Sequence, residues 1–77
     1  MSQSILIAFG HTIRKLRIEK GISQEAFANM CDLHRTYISD VELGKRNVSL
    51  ENIQKMAEAL SLSIHDVFSE VEKNESF

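Results

Sequence analysis

Arg35, Thr36, Ser39 and Asp40 cluster in one short polar and apolar segment, DLHRTYISDVE. Between them they carry a planar fork of N–H donors, two hydroxyls and a carboxylate. At about 100° per residue, with Arg35 at zero, Ser39 falls near ~40°, Thr36 near ~100° and Asp40 near ~140° of a helix. Tyr37, Val41 and Ile38 fall near ~200°, ~240° and ~300°, an arc suited to a core. The four polar residues therefore face out together. Ser63, His65 and Asp66 offer a different chemistry, having the residue types of a hydrolytic relay. As near neighbours on one helix their side chains diverge, so the relay cannot form. His11, His34 and His65 lie on different elements without metal-ligand spacing. Neither catalysis nor a bound metal or cofactor is expected.

The elements that must hold these residues come from a chain of 77 residues, 43% hydrophobic and 26% charged. That is one domain, near the lower size limit for a self-sufficient core. A single cysteine allows no internal disulfide, and no zinc-binding pattern replaces one. Residues 5 to 9 (ILIAF) are apolar but lack the basic flank of a signal peptide and the length of a membrane span. A cytoplasmic location is expected. Net charge is −2, which alone argues against a polyanionic partner. Its distribution argues the other way, because residues 1 to 47 carry a balance of +2 and residues 48 to 77 one of −4.

Proline is absent, only three glycines occur, and the apolar spacing is helical nearly throughout. Leu6, Phe9, Ile13 and Leu16 predict a first helix from about Ser4 to Lys20, stopped by Gly21 with Ile22 folding back on the last turn. Ser23 reads as the N-cap of a second, Gln24 to about Cys31, with Phe27 and Met30 or Cys31 inward. A third runs from about Arg35 to Leu43 and is closed by Gly44. Ser49 caps a fourth, Leu50 to about Leu60, expected to bury Leu50, Ile53, Met56, Ala57 and Leu60. Ser63 caps a fifth, Ile64 to about Glu72, with Ile64, Val67, Phe68 and Val71 on one side. The expected fold class is all-α, a compact five-helix bundle.

The short second and third helices, joined by a tight turn, have the form of a helix-turn-helix, whose second helix enters the DNA major groove. Gln24, Ala28, Asp32, Ile38 and Val41 stand at offsets 0, 4, 8, 14 and 17. Ala28 is small where the helices cross, position 32 needs a turn conformation, and Ile38 and Val41 plug the angle between them. With these residues the chain resembles the lambda and 434 repressor-like, or XRE-type, DNA-binding domains. The resemblance covers about residues 9 to 68 and includes IRKLRIEKGISQEAFA, RTYISDVELGKRN and SLENIQKMAEAL. The segment RTYIS…GKRN is also similar to the controller proteins of restriction–modification systems. Two departures stand out. Asp32 occupies a position usually held by glycine, although aspartate tolerates the left-handed region better than most residues. His34 occupies the N-cap of the third helix, where Ser, Thr or Asp is usual.

The resemblance implies roles residue by residue. Arg35 would read guanine through its fork, Thr36 would meet a thymine methyl, and Asp40 would accept from cytosine, or merely repel phosphate and orient Arg35. Ser39 is a weaker base-reading candidate. Gln24, His34, Tyr37, Lys45, Arg46 and Asn47 are placed for phosphate, giving affinity and register rather than sequence choice. Arg17 and Glu42 resemble the family's ion pair between the first and third helices. Cys31 is most simply a small buried apolar residue.

The resulting expectation is a dimeric transcriptional regulator that binds double-stranded DNA on a pseudo-palindromic operator. RNA polymerase would be a further partner if it activates. Since no sensor or separate dimerisation domain is visible in the sequence, the interface is expected on the fifth helix, through Ile64, Val67, Phe68 and Val71. The alternative on the same scaffold is a protein-interaction module, such as an antitoxin or adaptor, with the acidic C-terminal third as its surface.

Overall fold

The computed structural model describes residues 4–74. Five helices follow in order: α1 Ile5–Glu19, α2 Gln24–Cys31, α3 Arg35–Glu42, α4 Leu50–Ala59 and α5 Ile64–Asn74. Among the described residues there is no strand, and no helix is long and apolar enough to cross a membrane.

Side chains begin most of these helices. The hydroxyls of Ser4, Ser23 and Ser49 accept from the backbone N–H of Leu6, Ala26 and Asn52 at 3.1, 3.0 and 3.1 Å. α5 has a reciprocal cap: Ser63 Oγ accepts from the Asp66 N–H at 3.0 Å, and the Asp66 carboxylate accepts from the Ser63 N–H at 3.4 Å. The Ser63 hydroxyl and then its N–H hold the Asp66 carboxyl below the usual carboxylate range. Two of the three relay-type residues are thus used in capping, while His65 stays exposed.

Left-handed residues follow α1, α2, α3 and α4, the last being Ser61 with φ 59°. Gly21 has φ +71°, and the Ile22 N–H returns to the Arg17 carbonyl at 3.1 Å. Asp32 adopts φ 58°, ψ 44°, as expected, so the Leu33 N–H can reach the Ala28 carbonyl at 2.9 Å. Gly44 has φ +77°, and a side chain there would lie 2.8 Å from Ile7 Cγ1.

The core is built from one stripe of every helix, with Ile13, Phe27, Ile38, Met56, Leu60 and Val71 fully covered. Within it α1 and α3 approach closely. A Cβ on Gly10 would run into the Val41 carbonyl oxygen, so the two backbones touch there. That contact sets how near the third helix stands to the rest of the bundle.

Two expectations need correction. Leu50 is 80% exposed rather than buried. It is the first residue of α4, on the rim of the apolar arc and a turn beyond the core. Of Met30 and Cys31, the two alternatives expected inward, Cys31 is buried and Met30 exposed. Val67 and Val71 are 1% and 0% exposed, so they close the monomer's core and offer nothing to a partner. α5 turns their i, i+4 edge onto α1 and α4, while Ile64 remains 42% exposed and Phe68 lies at the boundary. The Phe68 ring stacks on Phe9 with centroids 5.5 Å apart.

Burial pushes the Cys31 thiol up to about 11, against a smaller downward pull from Lys55. The folded chain therefore keeps this proton after the unfolded chain has lost it. The associated stability is complete below about pH 9 and is lost as pH rises towards 11. The difference in unfolding free energy between wild type and Cys31→Ala should accordingly narrow over that interval, by on the order of 2 kcal/mol. Denaturant titrations at pH 8 and 10.5 measure it, and a constant difference would contradict the assignment.

Candidate nucleic-acid interface

α3 is anchored from its C-terminal end. Glu42, its last residue, is 3% exposed, and Arg17 of α1 is 7% exposed. Arg17 Nε donates to Glu42 Oε2 at 2.7 Å, and Nη2 donates to Oε1 at 3.0 Å. The remaining arm, Nη1, donates to the Ile22 carbonyl at 2.7 Å, in the turn after α1. Gln24, the first residue of α2, donates from Nε2 to Glu42 Oε1 at 3.0 Å. One carboxylate therefore joins α1, the following turn, α2 and α3. Among the described residues no buried side-chain nitrogen or oxygen lacks a partner, the condition under which a shielded pair is tolerated.

With Glu42 and Val41 turned inward, the outer face of α3 carries Arg35 and Thr36, both exposed, and Ser39 and Asp40, half-exposed. No ion pair or hydrogen bond engages the Arg35 or Thr36 side chains among the described residues. His34 takes the N-cap backbone conformation, but its side chain makes no cap bond. The amides at the start of α3 consequently have no side-chain acceptor from the cap position.

Beside this face lies a second cluster. The Arg46 guanidinium sits over the Tyr37 ring, 5.3 Å from its centroid. Its Nε donates to Asp40 Oδ2 at 3.3 Å. The Tyr37 hydroxyl in turn accepts from Asn52 Nδ2 on α4 at 3.1 Å. Lys45 and Asn47 flank the group and are exposed.

Placement thus divides the expected residues. Arg35, Thr36 and Ser39 share an outward face; Tyr37, Asp40 and Arg46 form a connected group; Lys45 and Asn47 project from the loop. Gln24 Nε2 donates to Glu42, and Asp40 contacts Arg46 rather than Arg35. Asn52 escaped the sequence reading because nothing local marks a partner 15 residues away. Gly10 escaped as well, although a glycine inside an apolar helical stripe is a signal of close backbone approach.

Residues 13–67 match the helix-turn-helix family model. The chain belongs to the helix-turn-helix family. It is 50% identical over 68 residues to control protein C.BamHI of Bacillus amyloliquefaciens, covering 87% of this chain and 84% of the relative. Among solved structures it is similar to the restriction–modification controller protein C.AhdI from Aeromonas hydrophila, with TM-score 0.80 and 48% identity over 82% of this chain and 96% of that one. It is also similar to controller protein C.Esp1396I, solved as a tetramer with its natural 35 base-pair operator. There the TM-score is 0.85 and the identity 32%, over 92% of this chain and 93% of the other.

The buried pair generates a stability prediction. Arg17→Met or Glu42→Leu alone strands a charge in the interior and should cost roughly 3–5 kcal/mol. The double variant should recover a large part of that loss. Thermal melts of the three variants decide it, and small additive losses would mean that the pair contributes only a surface contact.

Proposed function

We propose that the protein is a sequence-specific DNA-binding transcriptional regulator that controls restriction–modification genes as a homodimer on a pseudo-palindromic operator. The observation that carries this reading is the free outward face of Arg35 and Thr36 on a helix clamped at its far end by Glu42. In a chain half identical to a control protein, that face has the chemistry to read base edges. Arg35 offers two parallel donors to guanine O6 and N7, and Thr36 offers a methyl and a hydroxyl. Lys45 and Asn47, exposed in the loop after α3, would contact backbone phosphates and supply affinity and register. An antitoxin or adaptor would have no need of these groups arranged around one groove.

A single helix-turn-helix reads only a few base pairs, so two are needed for selective binding. With Val67 and Val71 occupied internally, the surface best suited to a second copy lies across α1, α4 and α5. Ile5, Leu6, Phe9, Val48, Ile53 and Phe68 line an apolar cleft of about 110 Å³. Exposed Leu50 stands one turn before Ile53, and exposed Ile64 one turn before Phe68. This is an extended apolar face of the kind that association covers.

Selection of bound sites from a randomised DNA pool tests the whole reading; recovered sites should hold inverted half-sites about 34–36 Å apart. On such a site Arg35→Ala should cost roughly 1–3 kcal/mol and flatten preference at one base position. Lys45→Ala should weaken all DNA alike and lower the salt slope by about one. Equal weakening of selected and random DNA by Arg35→Ala would remove it from base reading.

For the dimer, Leu50→Glu with Ile64→Glu alters exposed positions only, so the fold should persist. Sedimentation should then show monomer where wild type is dimeric, with operator affinity lowered about tenfold or more. A variant that stays dimeric would exclude this face.

A further inference from the structure

We infer that Asp40 is a positioning residue, holding the Arg46 guanidinium in a fixed orientation so that Arg46 makes a directional contact with DNA rather than acting as a diffuse positive charge. The inference rests on the DNA-binding reading above.

A surface arginine after a helix is ordinarily a mobile charge, because its stem carries several free torsions. Here three groups restrict it. The Asp40 carboxylate takes its Nε–H edge at 3.3 Å. The Tyr37 ring supports its face, with 5.3 Å to the centroid. Tyr37 is itself tied to α4 by the bond from Asn52. Asp40 also holds the chain from below, since its backbone carbonyl accepts from the Lys45 N–H at 2.9 Å. With one edge and one face occupied, the two terminal nitrogens form the edge left for a ligand, and the Arg46 side chain is still 50% exposed.

Bidentate recognition of a phosphate or a guanine requires an oriented edge, and a held fork loses less freedom on binding. The arrangement has an electrostatic cost, because a carboxylate stands close to where a polyanion would lie. Positioning and repulsion therefore predict opposite signs for removing Asp40. If repulsion dominated, Asp40→Ala would tighten binding. If positioning dominates, the same change weakens binding to the selected site despite removing a negative charge.

Asp40→Ala, Asp40→Asn, Arg46→Ala and the Asp40→Ala/Arg46→Ala double variant, titrated against a site recovered from the randomised pool and against random DNA, test this. Asp40→Ala should weaken the selected site roughly three- to tenfold while leaving random DNA unchanged or tighter, and should cost nothing further once Arg46 is gone. Asp40→Asn keeps an acceptor oxygen and should stay within about twofold of wild type. Equal tightening on both DNAs would overturn the inference, and so would a loss that persists without Arg46. A second measurement needs no DNA. In the free protein the Arg46 Nε–H should be more ordered by nitrogen relaxation than that of Arg35, and should lose this order in Asp40→Ala. Equal mobility of the two would overturn the positioning role. A wild-type chain that selects no site would instead overturn the DNA-binding reading, with the relaxation experiment still deciding the role of Asp40.

Discussion

A carboxylate buried at the end of a helix is costly unless every lone pair that matters is answered. Glu42 meets that requirement by drawing in Arg17 and Gln24, and Arg17 meets it by reaching the Ile22 carbonyl. The consequence is geometric more than energetic. Apolar contacts alone leave a short helix some freedom to slide and roll, whereas a forked pair admits few orientations. α3 has only eight residues, too few to be stable on its own. Its direction is therefore dictated by what holds Glu42.

The close approach at Gly10 complements this pair. Ion pairing fixes rotation at the end of α3, and backbone contact fixes its distance from α1. Between them, Ile38 and Val41 fill the angle. The polar face follows, because residues on the opposite side of the same short helix have nowhere else to point. An outward polar face of four side chains is thus a by-product of how the inner side is locked.

Much of this was legible because it is local. Serines before apolar runs marked helix starts, glycines marked stops, and the 3.6-residue period separated Tyr37, Ile38 and Val41 from Arg35 and Thr36. Even the left-handed Asp32 followed from position within the motif. What failed depended on distant parts of the chain. Val67 and Val71 share an apolar side with Ile64 and Phe68, and periodicity cannot say which edge of that side meets α1. Leu50 has the right spacing but too little bundle beside it. Gln24 and Asp40, expected to meet an outside ligand, each also have an internal partner from another element, Glu42 and Arg46. Polar pairing across helices has no periodic signature. The site was therefore readable as a face, and unreadable as a set of hydrogen bonds.

The turn before α3 departs from local preference at two neighbouring places: Asp32 takes a backbone conformation that favours glycine, and His34 leaves its helix start without a side-chain acceptor. Each omission costs a little stability, and both fall at the same end of α3, opposite the end secured by Glu42. The helix is consequently pinned at one terminus and loosely closed at the other. Its first-turn amides have no side-chain acceptor from the cap and will exchange with solvent ahead of those near Val41. An adaptable leading end on a rigidly rooted helix lets side chains settle against a surface without the bundle having to move.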